Sequence, residues 1–327
     1  MNTFYFRKIG QWVMLGIAAV TMAAAPAMAQ KYPNRPVTLV VPWGAGGGTD
    51  AVGRFLGAKL EQALGQPFNV VNRTGGSGVV GHSDIAFSKP DGYTIGLATV
   101  ELAMMHWVGL TELTYKDVTP IAFVNSDPAG VMVRTDAPWK TVKDLLADVK
   151  KNPGKFKGSG TGEGGIWHLA LAGMLGAAGM GANDAPWVPS KGAAPALQDL
   201  VAGGIDVVTA SLPEGKGLID AGRVRPLAVM APERNPVFPD TPTLKESGVD
   251  WTTAAWRSIA APKGTPKEIV DTLESALDKI VHSQEYKDFL GSRGFGWAWM
   301  SSKDLAVFYA QADKDNGAVM KAAGIAK

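Results

Sequence analysis

The chain of 327 residues contains no cysteine. That absence excludes disulfides, thiolate metal sites, iron–sulfur clusters and thiol nucleophiles together. Net charge is nearly absent too: 32 Lys and Arg stand against 30 Asp and Glu, a formal balance of +2. So small a surplus does not suit a protein that competes for nucleic-acid phosphates. Histidine is scarce. His82, His106, His168 and His282 are the four present, none at H-x-x-x-H or H-E-x-x-H spacing, so neither a metal site nor a cofactor is expected. No G-x-x-x-x-G-K-[ST] run occurs, which removes the P-loop nucleotide binders.

Long apolar runs are confined to the N-terminus. Arg7 and Lys8 precede an apolar stretch over 12–25, followed by Pro26 and Ala27-Met28-Ala29. A basic n-region, an h-region and an A-x-A site read as a secretory signal peptide over residues 1–29, cut after Ala29. A membrane anchor is the weaker alternative, because the run falls short of the ~20 residues that cross a bilayer. Removal takes two cations and no acid, leaving a formally neutral mature chain. Export without cysteine suits a bacterial periplasm better than a eukaryotic secretory route.

What remains is rich in apolar side chains and glycine. Hydrophobic residues make up 46% and charged residues 19%, enough for a sizeable core, and the length suits about two domains. The 40 glycines are about 12% of the chain, against a usual ~7%.

Short apolar runs at 37–42, 68–71, 94–99, 121–125, 131–133, 207–210 and 227–230 alternate with stretches of helical period. This predicts βαβ units and an α/β fold of mostly parallel sheets flanked by helices. Val52, Phe55, Leu56, Leu60 and Leu64 share a helical face that stops at Gly65. Thr141 with Asp144 forms a capping box ahead of Leu145, Leu146 and Val149, and Asn152-Pro153-Gly154 closes that helix. Thr265-Pro266-Lys267-Glu268 predicts an N-cap at Thr265 with Pro at N1, opening a helix through Ile269, Leu273, Leu277 and Ile280. A last helix starts at Ser301. The NSDPAG segment at 125–130 and the proline-rich 232–242 read as breaks between two lobes. The expected division is 30–124 with 254–327 for the first lobe and 125–253 for the second.

Three glycine loops each precede a predicted helix. They are Pro42-Trp43-Gly44-Ala45-Gly46-Gly47-Gly48-Thr49-Asp50, then 158–165 (GSGTGEGG) before Ile166-Trp167-His168, then Ser190-Lys191-Gly192-Ala193-Ala194-Pro195. Glycine lets the backbone approach a ligand, and a first helical turn exposes unpaired N–H groups and partial positive charge. Such places bind anions, and two on opposite lobes could grip a carboxylate from both sides. The bland alternative is that each glycine run only makes a tight βα turn. Gly46-x-Gly48-x-x-Ala51 also fits a dinucleotide fingerprint, but the next strand ends in Val71-Asn72-Arg73, with no acid for the ribose hydroxyls. Gly75-Gly76-Ser77-Gly78-Val79 lacks the closing glycine of a nucleophile elbow. Asp50, Glu163 and His168 could meet as acid and base, although Asp50 also favours a helix start. Trp43, Trp167 and Trp187, beside the glycine segments, suit the walls of an organic-ligand site.

The stretch from Tyr32-Pro33-Asn34-Arg35-Pro36 through Val40-Val41-Pro42-Trp43 and Ala45-Gly46-Gly47-Gly48-Thr49-Asp50 resembles the substrate-binding proteins of tripartite tricarboxylate transporters, the Bug family. The likeness continues at Leu64-Gly65-Gln66-Pro67, Pro90-Asp91-Gly92-Tyr93-Thr94, Pro138-Trp139-Lys140-Thr141, Lys191-Gly192-Ala193-Ala194-Pro195 and Ala261-Pro262-Lys263-Gly264-Thr265-Pro266, in order along the mature chain. It implies a two-lobed periplasmic binding protein of the Venus-flytrap kind, with no catalytic residue, that closes on a small di-, tri- or aromatic carboxylate and delivers it to a membrane permease. A monomer with no nucleic-acid partner is expected. The ligand is held largely by backbone amides. The positions that match are Trp43, Ala45, Gly46, Gly47, Thr49 and Asp50 in the first loop, and Thr99 after the third strand. Ser159, Gly160, Thr161, Gly162, Glu163 and His168 surround the second loop, and Lys191, Gly192, Ala193 and Ala194 form the third. Glu163 departs from the family's small or uncharged residue. Either its side chain points away or the ligand is uncharged or cationic at that end. A periplasmic hydrolase and a ligand-presenting sensor module are the alternative readings.

Overall fold

A computed structural model describes residues 32–327; the expected signal peptide and its cleavage site lie outside them. The first βαβ unit forms where the apolar pattern places it. β1 (Val37–Val41) leads into α1 (Gly48–Leu64), which returns to β2 (Phe68–Asn72). Val52, Leu56 and Leu60 on α1 are fully buried against the sheet, and Gly65 ends the helix in the left-handed region, with φ 75° and its N–H on Glu61 O. After α2 (Val79–Ala86), β3 (Thr94–Thr99) adds to the other side of β1, so Leu39 lies between Val70 and Ile95 in parallel register.

The remaining elements, in order, are β4 (Val118–Arg134), α3 (Val142–Lys151), β5 (Gly158–Ser159), α4 (Ile166–Ala177), α5 (Ala193–Ala202), β6 (Val207–Ser211), α6 (Leu212–Asp220), β7 (Val224–Val229), β8 (Ala254–Pro262), α7 (Lys267–His282), α8 (Gln284–Gly291), β9 (Trp297–Met300) and α9 (Ser302–Ala322). Strand order is β2-β1-β3-β8-β4-β6-β5, with β7 and β9 also on β4. The first part of β4 pairs with β8, from Val118 opposite Pro262 to Pro128 opposite Ala254; its last part pairs with β6 and β7. β4 therefore belongs to two sheets and joins them.

Two expectations are corrected here. The 125–130 segment is not a break but the middle of β4, where partners change from β8 to β6 and β7. Pro128 donates no hydrogen bond, and the changeover point is where the ladder tolerates that loss. Among the named strands, parallel pairing is confined to β1–β2, β1–β3 and β5–β6, while β8, β7 and β9 run antiparallel to β4. A chain that crosses between lobes along one strand and comes back along its neighbour must run antiparallel to itself.

Local signals at helix ends behave largely as read. Thr141 and Asp144 cap each other at α3, and the Ser301 hydroxyl accepts from Asp304 N–H at α9. Thr265 is the exception. Its hydroxyl donates to Pro262 O, and α7 begins at Lys267 with Pro266 as N-cap. One apolar cluster holds Leu39, Leu56, Ile95, Leu273 and Tyr286 around the first sheet. The other runs from Ile85 and Met104 across to Met132, Leu171, Leu200 and Leu227 around the second.

Candidate functional site

Three helices begin at one cavity between the two sheets. The N-caps of α1, α4 and α5 are Gly47, Gly165 and Gly192, and none carries a capping side chain. Their first-turn N–H groups have no partner within the helix. Two of them are met by carboxylates from the far side of the cavity. Gly48 N–H donates to Glu214 Oε1 at 3.0 Å, and Glu214 sits in the first turn of α6, where the Ser211 hydroxyl also donates to it. Ile166 N–H, opening α4, donates to Glu101 Oε1 at 3.2 Å, from the turn that follows β3. Each lobe thus lends an acid to a helix start of the other, and both helix dipoles favour the negative charge placed there.

Arg257 of β8 lies at the base of this cavity and is 2% exposed. Its Nε donates to Thr49 Oγ1 at 3.0 Å, and its Nη1 donates to Asn125 Oδ1 and Asp127 Oδ2 on β4. Nη2 is 3.9 Å from Glu214 Oε1, too long for a hydrogen bond. Burial opposes the charge of Arg257, but Asp127 and Glu214 outweigh it and raise its pKa. Removing one member of such a buried pair strands the other, at a cost of about 3–5 kcal/mol. Burial also pushes both Glu101 and Glu214 above the usual carboxylate range, against the pull of hydrogen bonds and of Arg257.

A hydrogen-bonded row stiffens one wall. Trp43 Nε1 donates to Thr99 Oγ1 at 3.2 Å, the Thr99 hydroxyl donates to Glu101 Oε2, and Thr99 N–H donates to His82 Nε2 at 3.1 Å. His82 Nδ1 in turn donates to Gly78 O at 2.8 Å. Desolvation lowers the His82 pKa to about 4, so the ring is neutral and its Nε2 is free to accept. Trp167, Trp256 and Ile166 provide apolar wall.

Of the residues singled out from the sequence, Trp43, Gly47, Thr49, Thr99, Thr161, Trp167, Gly192 and Ala193 line the cavity. Ala45, Lys191 and Ala194 line an open depression beside it, where Gly44 N–H donates to Lys191 O and ties the first loop to the third. The others lie outside both. Gly46 N–H donates to Asp50 Oδ2, and Arg54 and Asn72 also bind that carboxylate, which stays below its usual range despite burial. Ser159 Oγ donates to Val188 O. Gly160 and Gly162 pack too closely for a side chain, against Thr209 O and Ser77 respectively. Glu163 is exposed, so its side chain points away. His168 Nδ1 accepts from Gly164 N–H, and the ring stacks on Trp187 at 4.8 Å. Asp50 and His168 are thus engaged away from the cavity and Glu163 faces solvent, so the three do not meet.

Sequence reasoning passed over Glu101, Glu214, Trp256 and Arg257, all on the cavity wall, and read Gly48 only as part of the first loop. Arg257 was visible as a single charge inside the apolar run Ala254-Ala255-Trp256-Arg257-Ser258-Ile259-Ala260, and Glu214 as the fourth member of a Ser211-x-x-Glu box. Glu101 carries no comparable signal.

Two lobes sharing crossing strands, with a polar cavity between them framed by helix N-termini, define a periplasmic binding protein. A model of the tripartite tricarboxylate transporter family receptor matches residues 52–325, and the chain belongs to that family. BugT of Bordetella pertussis is 30% identical over 289 residues, covering 86% of this chain and 87% of BugT. An R. palustris protein, Rpa4515, solved with adipate, superposes with a TM-score of 0.85 at 32% identity, covering 90% of this chain and 99% of that one. MatC from Rhodopseudomonas palustris, with bound malate, gives 0.81 at 28% identity, covering 88% and 99%. The chain is a solute-binding receptor of the periplasmic class.

Proposed function

We propose that this receptor captures a small carboxylate-bearing molecule between its lobes and hands it to the membrane permease of a tripartite tricarboxylate-type transporter. One observation carries the reading: three glycine-capped helix starts and the buried Arg257 converge on a single cavity. Helix N-termini and a guanidinium are the groups that recognise carboxylates. The adipate and malate of the two solved relatives belong to the same chemical class. The lobes divide at 30–124 with 254–327 and at 125–253, and β4 and β8 form the hinge. The working form is a periplasmic monomer cleaved after Ala29, as the mass of exported protein would establish.

Ligand-stripped protein heated with a panel of mono-, di-, hydroxy- and aromatic carboxylates tests the proposal. A ligand that binds only the folded state at 100 times its Kd adds about 2.7 kcal/mol and raises the melting temperature. A flat response across the panel would overturn it.

A further inference from the structure

The cavity holds more carboxyl groups than a diacid receptor needs. Its charged wall residues are Arg257, Glu101 and Glu214, and Arg257 is already matched by Asp127 behind it. Glu214 keeps a distant share of that guanidinium at 3.9 Å. Glu101, 2% exposed, forms no salt bridge among the described residues. It accepts from the Thr99 hydroxyl, Ile166 N–H and its own backbone N–H. A carboxylate offers about four acceptor positions, so capacity remains on the cavity side.

A second observation points to what fills it. Thr161 is 4% exposed and lines the same cavity, yet its Oγ1 has no hydrogen-bond partner. A buried hydroxyl left unpaired is costly, which marks it as a ligand contact. Thr161 Oγ1 and Glu101 Oε1 are neighbours: both lie within 3.4 Å of the point where a Cβ on Gly165 would stand. The tryptophans Trp43 and Trp167 border the same space, and indole faces attract cations. A second carboxylate placed here would face Glu101, and the cation on the same wall, Arg257, is already paired with Asp127.

We propose that Glu101 and Thr161 form an ammonium-accepting end of the cavity, so that the preferred ligand carries a protonated amine in addition to its carboxylate. The N–H donors of an ammonium match the free acceptor capacity of Glu101 and the unpaired Thr161 oxygen. The inference rests on the carboxylate-receptor reading above and narrows its substrate class. Glu101 then acts as a selector that rejects plain diacids, the role that the exposed Glu163 cannot fill.

Isothermal titration of stripped protein against chain-matched pairs tests this directly: succinate with 4-aminobutanoate, glutarate with 5-aminopentanoate, adipate with 6-aminohexanoate. At the best-fitting length the amino acid should bind at least tenfold more tightly than its diacid mate. Glu101→Gln, which keeps shape and removes charge, should erase at least tenfold of that preference, read as the ratio of amino acid to diacid affinity within the variant. Thr161→Val should weaken the amino acid severalfold without lowering the melting temperature of the unliganded protein. If diacids bind wild-type protein more tightly at every length, or Glu101→Gln keeps the preference, the amine end is overturned while the carboxylate reading stands. If no compound of either series binds and the wider carboxylate panel is equally silent, both fall together.

Discussion

Replacing Gly162 by alanine adds one methyl group at the seam between the lobes, and its effect can be worked from geometry. Gly162 is not among the glycines with positive φ, so alanine meets no backbone strain there, and the stiffer chain should even gain about 0.4–1 kcal/mol. In the closed arrangement, however, the new Cβ would stand 2.2 Å from Ser77 Oγ and 2.5 Å from Ser77 Cα. Ser77 belongs to the loop between β2 and α2, on the other side of the cleft. Restoring ordinary contact requires the lobes to part by roughly 1 Å. That movement stretches Gly48 N–H to Glu214, now 3.0 Å, and Ile166 N–H to Glu101, now 3.2 Å. Hydrogen bonds to charged groups contribute about 1.5–3 kcal/mol each, so losing one shifts the closed population roughly 10- to 100-fold, and apparent affinity falls by up to that factor. Titration with the best carboxylate of the panel should show weaker binding, small-angle scattering a more open particle, and urea unfolding an unchanged or slightly higher midpoint. Adding Ser77→Gly to the same chain removes the Oγ and Cβ contacts and should restore part of the affinity. Wild-type affinity and scattering in Gly162→Ala, or a loss of stability instead of binding, would refute the reasoning.

The first loop makes a sharper distinction than its run of glycines suggests. A Cβ on Gly48 would lie 2.7 Å from Arg257 Nη2 and 3.0 Å from Glu214 Oε1, whereas one on Gly47 meets nothing closer than 3.5 Å. Gly48→Ala should therefore cost about 1–3 kcal/mol and abolish binding, while Gly47→Ala stays close to wild type; chemical unfolding and titration would expose the reverse order. His82 carries a pH dependence. Its folded pKa of about 4 lies below the usual 6.5, so its neutral form contributes stability that is complete above pH 6.5 and is lost as pH falls toward 4. The shift corresponds to about 3 kcal/mol. Melting temperature followed from pH 7 to 4 should drop less steeply in His82→Gln, and parallel profiles would argue against this role.

Much of the architecture was legible because it is local. The 3.6-residue pattern of Val52, Leu56 and Leu60, the Thr141 and Asp144 box, and the Ser301 cap each depend on residues within a turn of one another, where side chain and backbone act over short range. The glycine loops were legible for the same reason: a strand, a glycine run and a helix start are contiguous. The double identity of β4 was not, since whether 125–130 bends or continues depends on partners more than 70 residues away.

The sequence by itself determined the class of this protein: a cysteine-free α/β chain with a leader-like N-terminus and three anion-favouring loops in family order. Which residues share a cavity was decided only in three dimensions. Closing the lobes brings Glu101 to the start of α4 and Glu214 to the start of α1, and sets Arg257 between them. It leaves Glu163, one of the second-loop positions that the family resemblance nominated, pointing into water. The physical reason is range. Helix propensity and capping are written over a few residues, whereas the charge balance of a buried site is the sum over groups that meet only when distant segments fold together.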